Sequence, residues 1–471
     1  MKHHSPTIPQ AAKTTIADVV RWAHELARVH ARIAPHFARP EPRHRALAYL
    51  QGILSETSRK NGWQLAEHAR EATPYGMQRL LSQAVWDVGL VRDELRAYAL
   101  EHLGTHEAIL AIDETSFPKA GTHSAGVGTQ YCGTTGQVEN CQVGVFLSYI
   151  TARGHTLIDR ELYLLSEWAQ DQERRQQAAI PQTVRFQTKP ELARCMLQRV
   201  WDAQIPIAWV VGDSVYGENL DLRTWLQVHG YAYVLEVHCD EPVGIVAPDG
   251  RRRLVRVADV PALLLSEQAW QRLAMSEGTK GPRLFDWAYV PILHHWQQDG
   301  QHWLLLRRSV TEAADLSYYL VFGPPTTTLK QMVHASGGRW QIEEDFENAK
   351  DMGLDHYEVR SWIGWYRHIT LVMLAHAFLA GVCAQLADPS LVDSAIPAQI
   401  SEEHEPSTVL LPVLALTVPE VRHLLGHLIW PAITSVTLVL AWSWWRRCHR
   451  SWSSYYHRQH RMQTLTQTRS P

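Results

Sequence analysis

The stretch Ala-Ile-Leu-Ala-Ile-Asp, residues 108–113, decides the fold class that this chain predicts. Five apolar residues in a row, closed by a carboxylate, are typical of a strand buried inside a sheet. The pattern returns at residues 205–211, which are followed by Gly-Asp-Ser with Asp213 at its centre. Because open α/β sheets build their sites at the carboxyl ends of strands, Asp113 and Asp213 are candidate site residues.

The residues around these two runs place both aspartates in one mixed α/β sheet. Further strand patterns lie at residues 141–150, 156–165 and 231–237, and helices are predicted from Pro190 and before the last strand. A Gly-rich loop is predicted within residues 121–136. Three strands, a helix, a strand, a helix and a strand therefore follow one another.

The segments that flank the predicted sheet have a different character. Residues 14–104 carry helical periodicity broken by turns, and they predict either a helix-turn-helix-like DNA-binding module or a helical cap on the next domain. The basic residues considered for DNA contact are Arg59, Lys60, Arg70 and Arg79. After Glu420 the chain holds no acidic residue and interleaves Arg with Trp and Tyr. That tail predicts either a DNA clamp or a packed helix with a solvated basic face.

These patterns divide the chain into five predicted parts. The parts are a helical N-terminal region that is a candidate for binding DNA ends (1–104), the first part of an α/β core (105–237), a β-rich insertion (238–333), the second part of the core (334–386), and a linker with a basic aromatic C-terminal region (387–471). The predicted fold class is α/β, with helical regions on both sides of the core.

Composition is that of a globular protein. The chain is 45% hydrophobic and 20% charged, and its net charge of −3 argues against a uniformly basic surface. Its six scattered cysteines argue against a structural zinc site and a disulfide framework, so reduced thiols in a cytoplasm are expected. The apolar runs at 369–386 and 424–442 contain polar residues, which favours buried elements over membrane spans.

A charged helix is predicted over residues 339–350, Arg-Trp-Gln-Ile-Glu-Glu-Asp-Phe-Glu-Asn-Ala-Lys. Its apolar face is formed by Ile342, Phe346 and Ala349. Glu343 borders that face one turn from Arg339, and Lys350 follows two turns later on nearly the same side. Alone, this pattern is also typical of a surface helix with charge pairs. Other acids on the same helix are Glu344, Asp345 and Glu347.

Asp113, Asp213 and Glu343 can converge if this helix crosses the sheet. Three carboxylates around one point repel one another, and Mg²⁺, which prefers oxygen ligands, relieves that repulsion. Two such ions would serve an in-line phosphoryl transfer. Taken singly, Asp113 could cap a loop and Asp213 could sit in a turn before a helix. Three other polar residues, His123, Asp159 and His356, are interpreted as loop or supporting groups.

In combination, these motifs resemble the DDE transposases of bacterial insertion sequences, within the IS-four superfamily and its IS-seven-zero-one-like group. The superfamily motif is Tyr, two residues, Arg, three residues, Glu, six residues and Lys, which Arg339, Glu343 and Lys350 match. The core motifs Ile-Asp-Glu-Thr (112–115) and Gly-Asp-Ser (212–214) also match. The likeness extends over most of the chain.

The resemblance implies a ribonuclease-H-like mixed sheet in which Asp113, Asp213 and Glu343 are the catalytic, metal-binding triad for two Mg²⁺ ions, with Mn²⁺ as an alternative. It further implies that Arg339 and Lys350 hold DNA phosphates and that Trp340 stacks on a base. The expected partners are double-stranded DNA, as terminal inverted repeats and as target, and a second copy of the chain in a synaptic homodimer. No membrane partner is expected. The protein is expected in the bacterial cytoplasm, in association with the nucleoid.

One residue departs from the family pattern. Ser336 stands where the superfamily motif has Tyr, so the hairpin step known in relatives is not assured for this chain. The expected function is cleavage at the ends of an insertion sequence and joining of 3′-hydroxyls to target DNA. The alternatives are a domesticated regulator that binds DNA without cutting, and a ribonuclease-H-like nuclease that cuts without strand transfer.

Overall fold

Five helices open the part of the chain that the computed structural model describes, which is residues 14–278, 281–312, 314–386, 415–431 and 435–467. They are α1 (Ile16–Ile33), α2 (Pro40–Leu54), α3 (Gly62–His68), α4 (Tyr75–Ser82) and α5 (Val88–Leu103). Their starts follow from local chemistry, since Thr15 caps α1 in a capping box and the carboxylate of Asp87 caps α5. The predicted helical character of this region is confirmed.

The α/β core follows directly. Its elements are β1 (Ile109–Pro118), β2 (Gly128–Cys132), β3 (Gln137–Thr151), β4 (Gly154–Tyr163), α6 (Ser166–Gln170), α7 (Gln172–Gln177), α8 (Lys189–Asp202), β5 (Trp209–Gly212), α9 (Ser214–Gly217), α10 (Leu220–Val228) and β6 (Ala232–Val237). Strand β1 pairs antiparallel with β3 and parallel with β5, and β5 pairs parallel with β6. With β4 on β3, the order β4-β3-β1-β5-β6 is that of a ribonuclease-H-like sheet, as expected.

The predicted β-rich insertion is present, and most of it extends the core sheet. Its elements are β7 (Pro242–Val246), β8 (Arg252–Arg256), α11 (Val260–Leu264), β9 (Gln271–Gly278), β10 (Gly281–Pro291), β11 (His302–Ser309) and β12 (Leu316–Phe322). Strand β12 pairs with β6, and β11, β10 and β9 follow in that order, which makes a sheet of ten strands. Strands β7 and β8 form a hairpin of their own.

Four helices complete the described chain. They are α12 (Leu329–Asp351), α13 (Trp362–Leu386), α14 (Val418–Leu428) and α15 (Val436–Gln467). Helix α12 is longer than the predicted charged helix because a capping box at Thr328 and Gln331 starts it three turns earlier.

Two adjacent glycines let α12 lie close against the sheet. A Cβ on Gly337 would stand 2.4 Å from the carbonyl oxygen of Met275 in β9, and a Cβ on Gly338 would stand 3.0 Å from Ile109 in β1. No larger side chain fits at the first position without moving backbone. The helix that carries Glu343 is therefore held at a short distance from both the first core strand and the insertion.

Helix α13 is apolar and long enough to span a membrane by length and composition, but 83% of its most apolar stretch is buried inside the protein. It packs against α5, α2 and β4. The hydroxyl of Tyr49 lies 2.7 Å from Nδ1 of His368, and Arg367 donates to the carbonyl of Ala84 at 2.5 Å. The N-terminal helices thus cover α13 as a cap.

Lys60, one of the basic residues considered for DNA contact, is buried. Its ammonium donates to the Ser55 carbonyl, so it is not available to DNA.

The C-terminal helix α15 packs on that cap through its first half. Trp442 is buried and its indole Nε1 donates to the carbonyl of Glu71 at 3.2 Å, while Arg446 pairs with Glu67 at 2.7 Å. Residues 451–456 are exposed. The packed-helix interpretation therefore describes the first half, and DNA contact by the exposed half stays a prediction. The predicted linker at 387–409 lies outside the described residues.

Several predicted boundaries are wrong, each for a local reason. Strand β1 does not end at Asp113 but continues to Pro118, because β3 pairs with it along its whole length. The strand predicted from Ile205 begins only at Trp209, after Pro206, which cannot donate to a ladder. The predicted Gly-rich loop contains the short strand β2.

Asp159 is neither a loop residue nor a supporting group of the site. It is fully buried in β4, where Arg199 approaches it at 2.8 Å and Arg96 and Arg92 lie at 3.8 and 3.9 Å. Burial raises the pKa of a carboxyl group, but these arginines outweigh that effect and lower the pKa of Asp159 to about 2. The cluster ties β4 to α5 and α8.

We expect Gly337→Ala to lower the melting temperature and to move α12. Alanine favours a helix by about 1 kcal/mol over glycine, whereas overpacking against backbone costs about 1–3 kcal/mol. Thermal unfolding followed by circular dichroism measures the balance. The control is Gly121→Ala, where nothing lies within 4 Å of the added carbon. A melting temperature for Gly337→Ala equal to or above that of the parent would contradict the close packing of α12.

Candidate active site

Asp113, Asp213 and Glu236 lie side by side across three neighbouring strands, and we refer to them as the carboxylate row. Strand β1 runs parallel to β5, and β5 to β6. The last paired residues are Ile112, Gly212 and Leu235. Each row residue comes one position later, and neighbouring strands lie about 4.8 Å apart. The register therefore brings the carboxylates together at the carboxyl ends of the parallel strands.

Burial and neighbouring negative charge raise the pKa values of Asp113 and Asp213, and burial raises that of Glu343 on α12. Burial, with the charges of Asp213 and Glu114, raises the pKa of Asp113 to about 8 against the opposing charge of Arg339. Burial and the charge of Glu114 raise the pKa of Asp213 to about 6. Burial also raises the pKa of Glu343. Such a concentration of poorly solvated negative charge is a site that attracts cations.

The guanidinium of Arg339 lies among these carboxylates. Its Nη1 is 3.4 Å from Oδ2 of Asp113, its Nη2 is 3.1 Å from Oε1 of Glu343, and its Nε is 4.0 Å from Oε2 of Glu236. Burial would lower the pKa of Arg339, but the surrounding carboxylates raise it. Arg339 thereby links Glu343 on α12 to the carboxylate row. Its contact with DNA phosphate stays a prediction.

Of the acids on α12, Glu343 faces the carboxylate row while its neighbours face away. The carboxylate of Glu344 lies 3.4 Å from Nε2 of His155. Asp345 is fully buried, accepts a hydrogen bond from Ser148 and lies 2.6 Å from Nδ1 of His155. Burial alone would lower the pKa of His155, but Asp345 and Glu344 raise it to about 10. This network holds α12 against β3 and β4.

Trp340 is 39% exposed and is covered by a cation from the insertion. The guanidinium carbon of Arg283, on β10, lies 4.4 Å from the centre of the Trp340 ring. The charge of Arg283 partly opposes the burial that raises the pKa of Glu343. It also adds to the hydrogen bond with His155, which is the main cause of the lowered pKa of Glu344. An aromatic face beside an arginine at the edge of the site can receive a base and a phosphate.

Lys350 lies at the far end of the same helix. Its ammonium donates to the hydroxyl of Thr134 at 3.2 Å, in the turn between β2 and β3, and burial lowers its pKa. Ser336 is buried, and its hydroxyl donates to the carbonyl of Val333 at 2.8 Å. The Ser336 hydroxyl, which stands where the family motif has Tyr, therefore makes its hydrogen bond within α12.

Sequence reasoning gave no role to Glu114, Glu236 or Arg283. Glu114 accepts from Lys189 at 2.5 Å and from the buried hydroxyl of Tyr216 at 2.6 Å. It therefore joins β1 to α8 and α9. Glu114 could have been found from sequence because it follows Asp113 in the Ile-Asp-Glu-Thr motif. Glu236 could have been found because it lies near the end of a predicted buried strand. Nothing in the sequence marks Arg283, because only the pairing of β10 with β9 and β11 brings it to α12.

The donor set of the site suits hard divalent cations. Asp113, Asp213 and Glu343 offer only carboxylate oxygens, and no imidazole or thiolate takes part in their described contacts. Mg²⁺ prefers oxygen ligands of this kind. Arg339 already supplies one positive charge among them, which shows that the arrangement requires cationic compensation. The residues therefore fit the metal that the family resemblance implies.

Comparison with known proteins identifies the family of the chain. A family model described as DDE superfamily endonuclease matches residues 32–282, and one described as Transposase DDE domain matches residues 190–378. The chain is 29% identical over 175 residues to "Probable transposase for insertion sequence element IS701" from Microchaete diplosiphon. That alignment covers 37% of this chain and 43% of the relative, less than half of its length.

Among solved structures, the chain is similar to "Cryo-EM structure of piggyBac transposase synaptic complex with hairpin DNA (SNHP)". The sequence identity is 12%, the TM-score is 0.37, and the superposition covers 79% of this chain and 72% of the other. A TM-score of this size is too low to establish a shared fold. The fold class rests on the strand order described above.

We expect Asp113→Asn to raise the melting temperature of the metal-free protein at pH 8. The folded pKa of Asp113 lies above that of an unfolded chain, so its ionisation costs stability as the pH rises from about 4 to about 8. The gain should therefore be large at pH 8 and vanish near pH 4. Thermal unfolding across this range, with a chelator present, measures it.

The matched control is Asp159→Asn, for which we expect the opposite sign. The folded pKa of Asp159 is below its unfolded value, so its charge stabilises the protein at all pH values above about 4, and the stabilisation is lost as the pH falls through about 2. Breaking this buried cluster should lower the free energy of unfolding by about 3–5 kcal/mol at pH 7. Equal effects of the two substitutions would refute the assignment of charges.

Proposed function

The chain belongs to the DDE superfamily of endonucleases, and from this premise we propose that it is the transposase of a bacterial insertion sequence. It binds the terminal inverted repeats of its element, cleaves DNA at the element ends, and joins the 3′-hydroxyls to target DNA. The observation that carries the proposal is that Arg339 links Glu343 to Asp113, beside which the register of β1 and β5 places Asp213. The matching relative is named a transposase, which supports the same conclusion.

Asp113, Asp213 and Glu343 would hold two Mg²⁺ ions, with Mn²⁺ as an alternative. Bound ions would supply the positive charge that activates an attacking oxygen and stabilises the leaving oxygen of a phosphodiester. The protein contributes a fixed frame for them. The register of β1 and β5 sets the spacing of the two aspartates, and the close packing of α12 sets the position of Glu343.

Arg339 would have two successive partners in this mechanism. Without DNA, its guanidinium compensates Asp113 and Glu343. Cations on the carboxylates would remove the need for that compensation, and Arg339 would turn to a phosphate near the cleaved bond. A planar guanidinium suits either task, because it can present two N–H donors to a carboxylate or to a phosphate.

Two further points on α12 would hold DNA beside the cleaved bond. Trp340 would receive a base on its ring, with Arg283 contacting the adjoining phosphate. Lys350, two turns beyond Glu343, would bind a phosphate farther along the same strand. Ser336 offers no free hydroxyl on this face, so the proposal includes no step that depends on it.

We further propose that two copies of the chain act on two element ends in a synaptic homodimer. Strand transfer joins both ends to one target, which requires both sites to be held together. The protein would act in the bacterial cytoplasm with the nucleoid, where its DNA substrates lie. The N-terminal cap and the exposed half of α15 would supply further DNA contacts.

We expect Glu343→Gln to abolish cleavage of supercoiled donor DNA in Mg²⁺, with a loss of at least about 1,000-fold. Glutamine keeps the size of the side chain but removes the charge that would bind the ion. Glu344→Gln is the matched control on the adjacent residue, which faces His155, and it should retain most of the activity. Full activity of Glu343→Gln, or equal losses in both variants, would refute the proposed triad.

The same assay separates the proposal from its two alternatives. Nicked and excised donor together with joined products identify a transposase. Cleavage without joined products would identify a nuclease, and binding of the ends without cleavage by the unaltered protein would identify a regulator. The substrate is the chain's own reading frame with its flanking inverted repeats.

We expect Trp340→Ala and Arg283→Ala each to weaken binding of an element-end duplex, by about 10-fold, while the metal-dependent rise in melting temperature remains. Stacking on one base is worth about 1–3 kcal/mol, and each substitution removes one side of the pair. Electrophoretic mobility shift at fixed salt measures the binding. Trp201→Ala, at an exposed Trp on α8 that has no proposed DNA contact, is the control for general loss of an aromatic. Unchanged binding in both variants would contradict the assigned contact.

A further inference from the structure

We infer that the loop joining β10 to β11 binds one divalent transition-metal ion of the zinc type, separate from the carboxylate row. His294, Asp299 and His302 form the site, and one ligand atom from each lies within 4.8 Å of the others. The scattered positions of the six cysteines argue only against zinc sites with thiolate ligands. They do not bear on a site of two imidazoles and one carboxylate.

The distances among these three residues approach those of a tetrahedral site. Nδ1 of His294 lies 3.5 Å from Oδ2 of Asp299, and Nδ1 of His302 lies 2.7 Å from the same oxygen. Zinc bonds of about 2.0–2.1 Å at tetrahedral angles place ligand atoms about 3.3 Å apart. The first distance already fits. The second is a hydrogen bond, and it would lengthen by about 0.6 Å once an ion replaced the Nδ1 proton of His302.

Two neighbouring residues, one in the loop and one on α10, orient two of the ligands. The backbone N–H of Gln301 donates to Oδ1 of Asp299 at 2.9 Å, which leaves Oδ2 for the ion. Nε2 of His302 lies 3.1 Å from the amide of Gln227 on α10. With Nδ1 on the ion, Nε2 would carry the proton, and the amide of Gln227 could accept it through its oxygen after a half-turn. Metal-bound histidines commonly have such a partner on the other ring nitrogen.

The loop is also built to hold His294 in place before an ion arrives. His295 and Trp296 both have positive φ, at 49° and 62°, which is costly for residues with side chains. Their turn is closed by two hydrogen bonds of 2.9 Å between the backbones of His294 and Gln297. As a result, the rings of His294 and His302 stack with centroids 4.2 Å apart. Strained backbone of this kind is typical of ligand clamps.

The donor set selects the class of ion. Two imidazoles and a carboxylate suit Zn²⁺, Co²⁺ or Ni²⁺, whereas Mg²⁺ prefers oxygen ligands alone. His302 is buried and His294 is half-buried, so an ion can enter from one side and keep a water as its fourth ligand. The bound ion would fasten the loop to α10 through Gln227. It would thereby stiffen the strands β10 and β11, the first of which carries Arg283.

Zinc titration of the full chain tests this inference. Asp113→Asn with Asp213→Asn should be present throughout, so that the carboxylate row does not compete. After treatment with a chelator, Zn²⁺ binding is measured by competition with a chromophoric chelator. We expect one equivalent to bind, and His294→Gln with His302→Gln to weaken binding by at least about 100-fold. Co²⁺ should give a visible absorption without a thiolate charge-transfer band.

Two controls separate the site from general histidine binding and from misfolding. In the described part of the chain, one other group of this type exists, Glu56 with His423 and His427, and all three are exposed. The double variant His423→Gln with His427→Gln should still bind one equivalent of Zn²⁺. His294→Gln alone should keep the metal-free melting temperature but lose the rise that Zn²⁺ produces. Equal zinc affinity with and without His294 and His302, or a thiolate band with Co²⁺, would overturn the inference.

Discussion

The repulsion among carboxylates that lie where the parallel pairing of β1, β5 and β6 ends is the constraint on which the rest of the structure depends. Parallel pairing places Asp113, Asp213 and Glu236 side by side, and burial deprives the two aspartates of water. A protein can keep such a group of charges only if cations compensate it. Arg339 supplies that compensation in the structure, and it brings Glu343 with it. The same repulsion is what makes the site suitable for divalent metal ions.

Helix α12 can bring a compensating cation to the carboxylate row because contacts on two of its sides fix its position. One side presents Arg339 and Glu343 to the carboxylate row, and the other presents Asp345 to His155 and Ser148. The charged His155 and the buried Asp345 fix the rotation of the helix about its axis, while Gly337 allows its close approach to the sheet. A rotation of α12 about its axis by about 100°, the angle between successive helical residues, would bring Glu344 to the position of Glu343. The buried network is what distinguishes them.

The insertion contributes to the site rather than standing apart from it. Its strands continue the core sheet from β6 through β12 to β9, so that β10 carries Arg283 to the ring of Trp340. The loop at His294, Asp299 and His302 closes the hairpin of the same strand. An ion at that loop would act on the position of Arg283 without touching the carboxylates. The insertion and helix α12 thus form one surface.

The sequence alone predicted the mixed α/β order of elements, the aspartates that follow its apolar runs and the charged helix, because apolar runs and motif spacing are local properties of the chain. The ribonuclease-H-like fold class came from the family resemblance of its motifs. It also predicted the helical flanks and the β-rich insertion. Only the tertiary structure decided that β1 continues past Asp113, that Glu114 and Glu236 join the site, and that Arg283 covers Trp340. Each of these depends on pairing or packing between residues far apart in sequence, which no local pattern records. The position of Glu343 over the aspartates likewise follows from contacts that two glycines and a buried aspartate of α12 make with the sheet, which the helical pattern of residues 339–350 does not record.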